Sequence, residues 1–282
     1  MSGATRLESF ERDGLRFDVR DEGPLAGPPV LLLHGFPQDC SCWAGVTPTL
    51  NAAGYRTLAP NQRGYSPQAR PRGRNAYRLR ELVDDVLALA DAADVQRVHL
   101  VGHDWGGFVA WAVAAAHPDR ISAMTVLSTP HPAAFVDSML HGQALRSWYM
   151  AAVQLPAAPE LMLRPGSRVW QSLRRGVGAD AADAYMQRLA EPGAATAALN
   201  WYRALPADLR QPSVRVGPIA VATQYVWGER DPFLGRAAAE RTAKYVRGQY
   251  RFRPLGQAGH WLPERNADEV AELVIDWSAE VG

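Results

Sequence analysis

One short stretch constrains this chain more than any other. An apolar run, Val98-His99-Leu100-Val101, leads directly into Gly102-His103-Asp104-Trp105-Gly106-Gly107 and then into residues 108–116. The run reads as a buried parallel strand. Residues 108–116, apolar all round and stopped by His117-Pro118, read as a buried helix. A strand that becomes a helix across one residue, with glycines two positions before and after it, holds that residue in a sharp, strained turn. The residue is Asp104. Its side chain should project above the sheet at a helix N-terminus, where free N–H groups and the dipole favour an anion. The plainer alternative, an ordinary N-cap aspartate, leaves the flanking glycines and the apolar strand unexplained.

Around this turn the first half alternates strand and helix signals. Residues 30–33, 56–59 and 124–127 read as further strands. Residues 78–93 carry Leu79, Leu82, Val83, Val86, Leu87 and Ala90 at the spacing of an amphipathic helix. From about 130 to 213 strand signals vanish. Helical stretches there alternate with breaks at Pro156, Pro159, Pro165, Pro192, Pro206 and Pro212. Strand signals resume at 219–227 and 250–252, and a final amphipathic helix is expected over 266–279. The expected architecture is an α/β core with a mostly parallel sheet, residues 1–130 and 215–282, interrupted by a helical cap over 131–214.

The composition, 47% hydrophobic and 21% charged over 282 residues, is that of a globular chain. Thirty basic and 29 acidic side chains give a formal charge of +1, which excludes a global basic field for nucleic acid. Five arginines between 70 and 80 (Arg70, Arg72, Arg74, Arg78, Arg80) read as a solvated loop, because no aromatics are interleaved with them. Gly176-Val177-Gly178 lacks the preceding strand and third glycine of a dinucleotide loop. Cys40 and Cys42 are too close for an unstrained disulfide. There is no leader-like apolar segment near Met1 and no apolar run of membrane-spanning length, so a cytoplasmic protein without membrane insertion is expected.

Gly102 to Gly106 matches the G-x-S-x-G nucleophile elbow with Asp in place of Ser. A carboxylate is ionised at neutral pH without a base. It suits displacement at a saturated carbon, giving an alkyl ester that water then cleaves. The second step needs a base and a group to orient it. Asp231 lies just past the strand signal at 219–227, and His260 follows the last strand signal, in the order nucleophile, acid, histidine. Glu229 is the alternative orienter; His103 and His131 are rival bases. The oxyanion should be met by the backbone N–H groups of Trp105 and Phe36. Histidine spacing gives no metal motif, and no cofactor or metal is expected.

On these residues the chain resembles the α/β-hydrolase fold family, and within it the soluble epoxide hydrolases, over nearly its whole length. His34-Gly35-Phe36-Pro37 is similar to that group's oxyanion segment and His103-Asp104-Trp105-Gly106 to its nucleophile segment; Asp231 and His260-Trp261 complete the triad. Tyr149, within Ser147-Trp148-Tyr149-Met150, and Tyr202, within Asn200-Trp201-Tyr202-Arg203, resemble the two cap tyrosines that bind the epoxide oxygen. The resemblance implies an apolar epoxide as substrate, a covalent ester on Asp104 and a vicinal diol as product. Opening an epoxide releases an alkoxide, which two phenols can protonate or stabilise. Cys40-Ser41-Cys42 stands where the family often has larger or more polar residues, and the small Ala151, Ala152 and Ala157 around the first tyrosine suggest a wider pocket there.

Haloalkane dehalogenases share the triad and use a Trp beside the nucleophile, as Trp105 would be. They carry Asn where this chain has Phe36 and lack the tyrosine pair. Fluoroacetate dehalogenases resemble the core but place Arg at the position of Trp105. A serine esterase fails for want of a serine at the elbow. A scaffold that binds a small ligand without turnover would have no need of a complete triad. Trp105, Trp148, Met150 and Val153, with Leu155 and Trp170, are the candidates for an apolar substrate pocket.

Overall fold

A computed structural model describes residues 5–210 and 216–282. The break expected at Pro212 and the cap boundary at 214 lie outside them. Eight strands form one sheet in the order β1-β2-β4-β3-β5-β6-β7-β8. They are β1 (Ser9–Arg12), β2 (Leu15–Glu22), β3 (Pro29–Leu33), β4 (Arg56–Pro60), β5 (Val98–His103), β6 (Ile121–Leu127), β7 (Thr223–Gly228) and β8 (Tyr250–Leu255). β2 is antiparallel to β1 and β4; from β4 to β8 every pairing is parallel. One row crosses the parallel part through Leu58, Leu31, Leu100, Met124, Thr223 and Tyr250.

β4, β5 and β7 are buried along their whole length. Helices cover both faces of the sheet, so these strands show no alternation of buried and exposed positions. β2 alternates instead, burying Phe17, Val19 and Asp21 between exposed neighbours. It pairs with β1 through a two-residue turn, Asp13-Gly14, in which both residues have positive φ (51° and 74°). That dipeptide is a hairpin signal, and the hairpin is absent from the sequence-based expectation.

Helices α1 (Thr47–Ala52), α2 (Leu79–Ala92) and α3 (Trp105–Ala116) connect the first parallel strands. Between β6 and β7 the described chain forms only helices: α4 (Pro132–Asp137), α5 (Gln143–Arg146), α6 (Tyr149–Ala152), α7 (Ala158–Met162), α8 (Arg168–Val177), α9 (Ala179–Leu189) and α10 (Ala194–Leu209). The chain ends through α11 (Arg236–Arg241), α12 (Leu262–Arg265) and α13 (Ala267–Val281). Two expectations are corrected. The strand expected over 219–227 begins at Thr223: Ile219 forms only a lone bridge to Val246, and the Thr223 hydroxyl turns back onto the carbonyl of Val221. The helix expected from Phe108 begins at Trp105, with no spacer after Asp104.

The arginines between 70 and 80 are not all solvated. Arg70 pairs with Glu191 and Arg78 with Asp208, both at 2.7 Å, tying the core to the inserted helices. Cys40 and Cys42 are free and buried.

Candidate active site

Asp104 sits between β5 and α3 with φ 51° and ψ −119°, a conformation L-residues rarely adopt. The strain persists because the surroundings permit no other path. A Cβ on Gly106 would lie 2.2 Å from the carbonyl oxygen of Leu33, and one on Gly35 would lie 2.4 Å from the Asp104 Cβ. Glycine at both positions lets α3 and the loop after β3 close on the elbow.

That loop supplies the first polar contact. The Phe36 N–H donates to Asp104 Oδ1 at 2.8 Å. His34 braces the loop from beneath: its Nδ1–H donates to the Gly35 carbonyl and its Nε2 accepts from the Gln62 N–H. Burial lowers the His34 pKa to about 4, so it is neutral, as this pattern requires. Trp105, the other expected oxyanion donor, is the first residue of α3, where N–H groups have no partner within the helix.

The second carboxylate oxygen faces elsewhere. His260 Nε2 lies 3.5 Å from Asp104 Oδ2, and His260 Nδ1–H donates to Asp231 Oδ2 at 2.7 Å. Asp231 Oδ1 accepts from the N–H groups of Phe233 and Leu234 at 2.7 and 3.0 Å, which fixes the carboxylate just past β7. The alternative orienter, Glu229, instead pairs with Arg236. Burial alone would lower the His260 pKa. The charge of Asp231 and the hydrogen bonds to Asp104 and Asp231 outweigh it and raise the value to about 10. Burial likewise pushes Asp104 up, but the His260 hydrogen bond and charge, with the Phe36 N–H, carry it below its ordinary value. Both shifts favour an imidazolium between the two carboxylates.

The rival histidines have other partners. His103 Nε2–H donates to the His260 carbonyl at 2.9 Å, and its Nδ1 lies 2.8 Å from Gln38 Oε1. His131 stacks on Tyr245 and contacts the Gly217 carbonyl.

Tyr149 on α6 and Tyr202 on α10 close the site from the inserted helices, their ring centroids 6.2 Å apart. The Tyr202 ring meets Trp105 at 4.8 Å and Phe36 at 5.3 Å, both edge to face. Burial raises both phenols above their ordinary value, and the charge of Asp104 adds to it. For Tyr202 the neighbouring Trp105 side chain works the other way. Gln154 Nε2 donates to the Tyr202 carbonyl at 2.9 Å, joining the end of α6 to α10.

Not every expected pocket residue is brought here. Met150 and Val153 are partly buried against the core. Trp148, by contrast, is 65% exposed, and Leu155 also stands in solvent. Trp170 donates to Asp183 under the guanidinium of Arg174, a surface arrangement. On a short helix such as α6, neighbouring residues cannot share one face, so Tyr149 turns inward and Trp148 outward.

Several residues at the site escaped the sequence reading. The Phe233 ring lies 5.0 Å from His260 and 6.0 Å from Tyr149. Gln38 Oε1 accepts from the Gly35 N–H, and its Nε2 donates to Glu264, which also accepts from the Tyr185 hydroxyl. The Ser128 hydroxyl donates to the His260 carbonyl. Phe233, two positions after Asp231, and Gln38, directly after Pro37, could have been found by proximity to the motifs.

Residues 28–267 match the family model for the alpha/beta hydrolase fold. The chain is 33% identical to AB hydrolase superfamily protein YfhM of Bacillus subtilis, over 96% of this chain and 97% of that protein. It is 30% identical to Epoxide hydrolase A of Mycobacterium tuberculosis, over 98% of each. The crystal structure of Epoxide Hydrolase A from Mycobacterium thermoresistibile superposes with a TM-score of 0.85 at 27% identity, covering 99% of both chains. Fold, elbow and relatives agree: the chain is a hydrolase of the α/β-hydrolase fold family, in the branch that includes the epoxide hydrolases.

Proposed function

We propose that the chain opens apolar epoxides to vicinal diols through an ester on Asp104, with residues 131–214 acting as the cap over the site. The observation that carries this reading is the division of labour between the two Asp104 oxygens. Oδ1 is held by the Phe36 N–H, while Oδ2 lies on the side of His260. A carboxylate so held can attack with Oδ2 and keep Oδ1 where an oxyanion will form.

In the first step Oδ2 bonds to an epoxide carbon, the C–O bond breaks, and its electron pair stays on oxygen. Tyr149 or Tyr202 donates a proton to that oxygen. Esterification removes the Asp104 charge, one of the influences that raise the His260 pKa. The imidazolium then releases its proton to restore the phenol and becomes a base, its Nδ1–H retained by Asp231. In the second step His260 Nε2 takes a proton from water, and the hydroxide adds to the ester carbonyl. The oxyanion is met by the N–H groups of Phe36 and Trp105. Collapse passes that proton to the leaving oxygen and releases the diol; the second water proton, now on the Asp104 carboxyl group, moves to His260 and restores the carboxylate and the imidazolium. No cofactor or metal enters these steps.

The edge-to-face packing of Trp105 on Tyr202, 4.8 Å between ring centroids, also bears on the choice of electrophile. An indole engaged with a phenol is less available to a departing halide, which favours an epoxide over a haloalkane. The test is product analysis with aryl and alkyl epoxides and primary haloalkanes. Diol from the epoxides, no halide release, and loss of diol in Asp104→Ala are expected. Diol production by Asp104→Ala would overturn the nucleophile, and halide release without diol would overturn the substrate class.

A further inference from the structure

Among the described residues, every large hydrophobic side chain that stands exposed falls between positions 136 and 162, in helices α4–α7 and their connections. Leu140 is 97% exposed, Leu145 82% and Trp148 65%; Leu155, Leu161 and Met162 are about half exposed. Scattered exposed leucines need no explanation, but their confinement to one segment of the insertion sets that segment apart.

Charge accompanies it. From 136 to 175 the chain holds five arginines against two carboxylates. Both carboxylates are engaged within the fold, Asp137 with Tyr245 and Glu160 with Arg203. Arg174 pairs with Asp183, and Arg146 donates to the carbonyls of Asp231 and Pro232, which leave its charge unbalanced. Arg164, Arg168 and Arg175 are exposed, with no carboxylate in ion-pairing range among the described residues.

We propose that this segment presents its leucines and arginines on one face and docks that face on an anionic lipid surface. A second copy of the chain fits it less well: a twofold interface sets a patch against its own image and would bring these unbalanced arginines together. Anionic headgroups neutralise them, while leucine side chains and the Trp148 indole settle at the boundary between headgroups and acyl chains. Among the described residues no helix is long and apolar enough to cross a membrane, so the contact is peripheral. Trp148 then faces lipid while its neighbour Tyr149 turns toward the buried site of Asp104. Docking does not depend on the chemistry at Asp104.

The test is co-sedimentation of the full chain with vesicles of phosphatidylcholine alone or with phosphatidylglycerol added, beside sedimentation velocity without lipid. Binding should rise steeply with phosphatidylglycerol and fall at high salt. Leu140→Glu/Leu145→Glu and Arg164→Glu/Arg168→Glu alter only exposed side chains, so both variants should stay folded and each should weaken binding by more than about tenfold. No co-sedimentation at any composition, or variants that bind like the parent, would overturn the proposal. So would a dimer that Leu140→Glu/Leu145→Glu converts to monomer with no vesicle binding by the parent, which would assign the face to a second copy.

Discussion

At the scale of single residues, the site depends on charges that are buried but matched. Asp104 is low because it faces His260, His260 is high because Asp231 and then Asp104 flank it, and Asp231 holds its place through two backbone N–H groups. The two phenols have a different task, to supply a proton where an alkoxide appears. In the epoxide reading, Tyr149→Phe and Tyr202→Phe should each slow alkylation of Asp104 by roughly 10- to 100-fold, and the double variant by more than about 1000-fold. Hydrolysis of an ester already formed should change far less. Stopped-flow measurement of the two phases separates these effects; equal losses in both phases would mean that the tyrosines only pack the site.

At the scale of elements, the elbow demands that α3 lie against the carbonyl of Leu33, and Gly106 permits it. Gly106→Ala should push α3 from β3, destabilise the protein by about 2 kcal/mol or more, and loosen the Phe36 contact with Asp104. Chemical denaturation and a falling kcat together would show this; an unchanged kcat would separate the helix position from the site. β2 carries a second test. Its buried Asp21 is held by Arg56 through two bonds, 2.9 and 2.7 Å. Arg56→Met leaves that buried carboxylate with only the Leu7 N–H at 2.9 Å and the half-exposed Arg6 at 3.7 Å, and should cost about 3 kcal/mol, measured as a lowered urea midpoint.

These elements also divide what the sequence can disclose from what it cannot. The parallel strands were legible because burial on both faces makes them apolar runs, and the elbow because its glycines answer a local steric demand. The β1–β2 hairpin was missed although Asp13-Gly14 signals its turn, because β2 buries a charged residue whose partner Arg56 lies far along the chain. Within the helical insertion the pair of tyrosines could be picked out, but the direction of each side chain depends on packing. Trp148 was therefore placed inward and stands outside.

At the scale of the whole molecule, four buried histidines set the response to acid. Burial lowers His34, His103 and His131 to about 4 and His99 to about 3. The unfolded chain binds protons at these residues below about pH 6.5 that the native protein refuses, so stability falls as pH drops. Each histidine contributes roughly 1.4 kcal/mol per pH unit until its folded value is reached. Asp85 and Glu264, raised by burial, oppose this lower down. His260 has the reverse sign: its folded value is raised, so its contribution is complete below about pH 6.5 and is lost as pH rises toward the folded value. Urea midpoints should peak near neutrality, and His260→Gln should flatten the alkaline side. A midpoint that stays constant from pH 7 to 5.5 would contradict the neutral state of these histidines.

The measurement that tests the central claim most directly is the intact mass of His260→Gln after exposure to an epoxide, with peptide mapping of the adduct. The substitution removes the base for the second step and leaves the first in place, so the ester should accumulate. The account predicts an added mass equal to the whole epoxide, located on the peptide that carries Asp104. An adduct on any other residue, or diol formed by this variant at the parent's rate with no adduct, would contradict it.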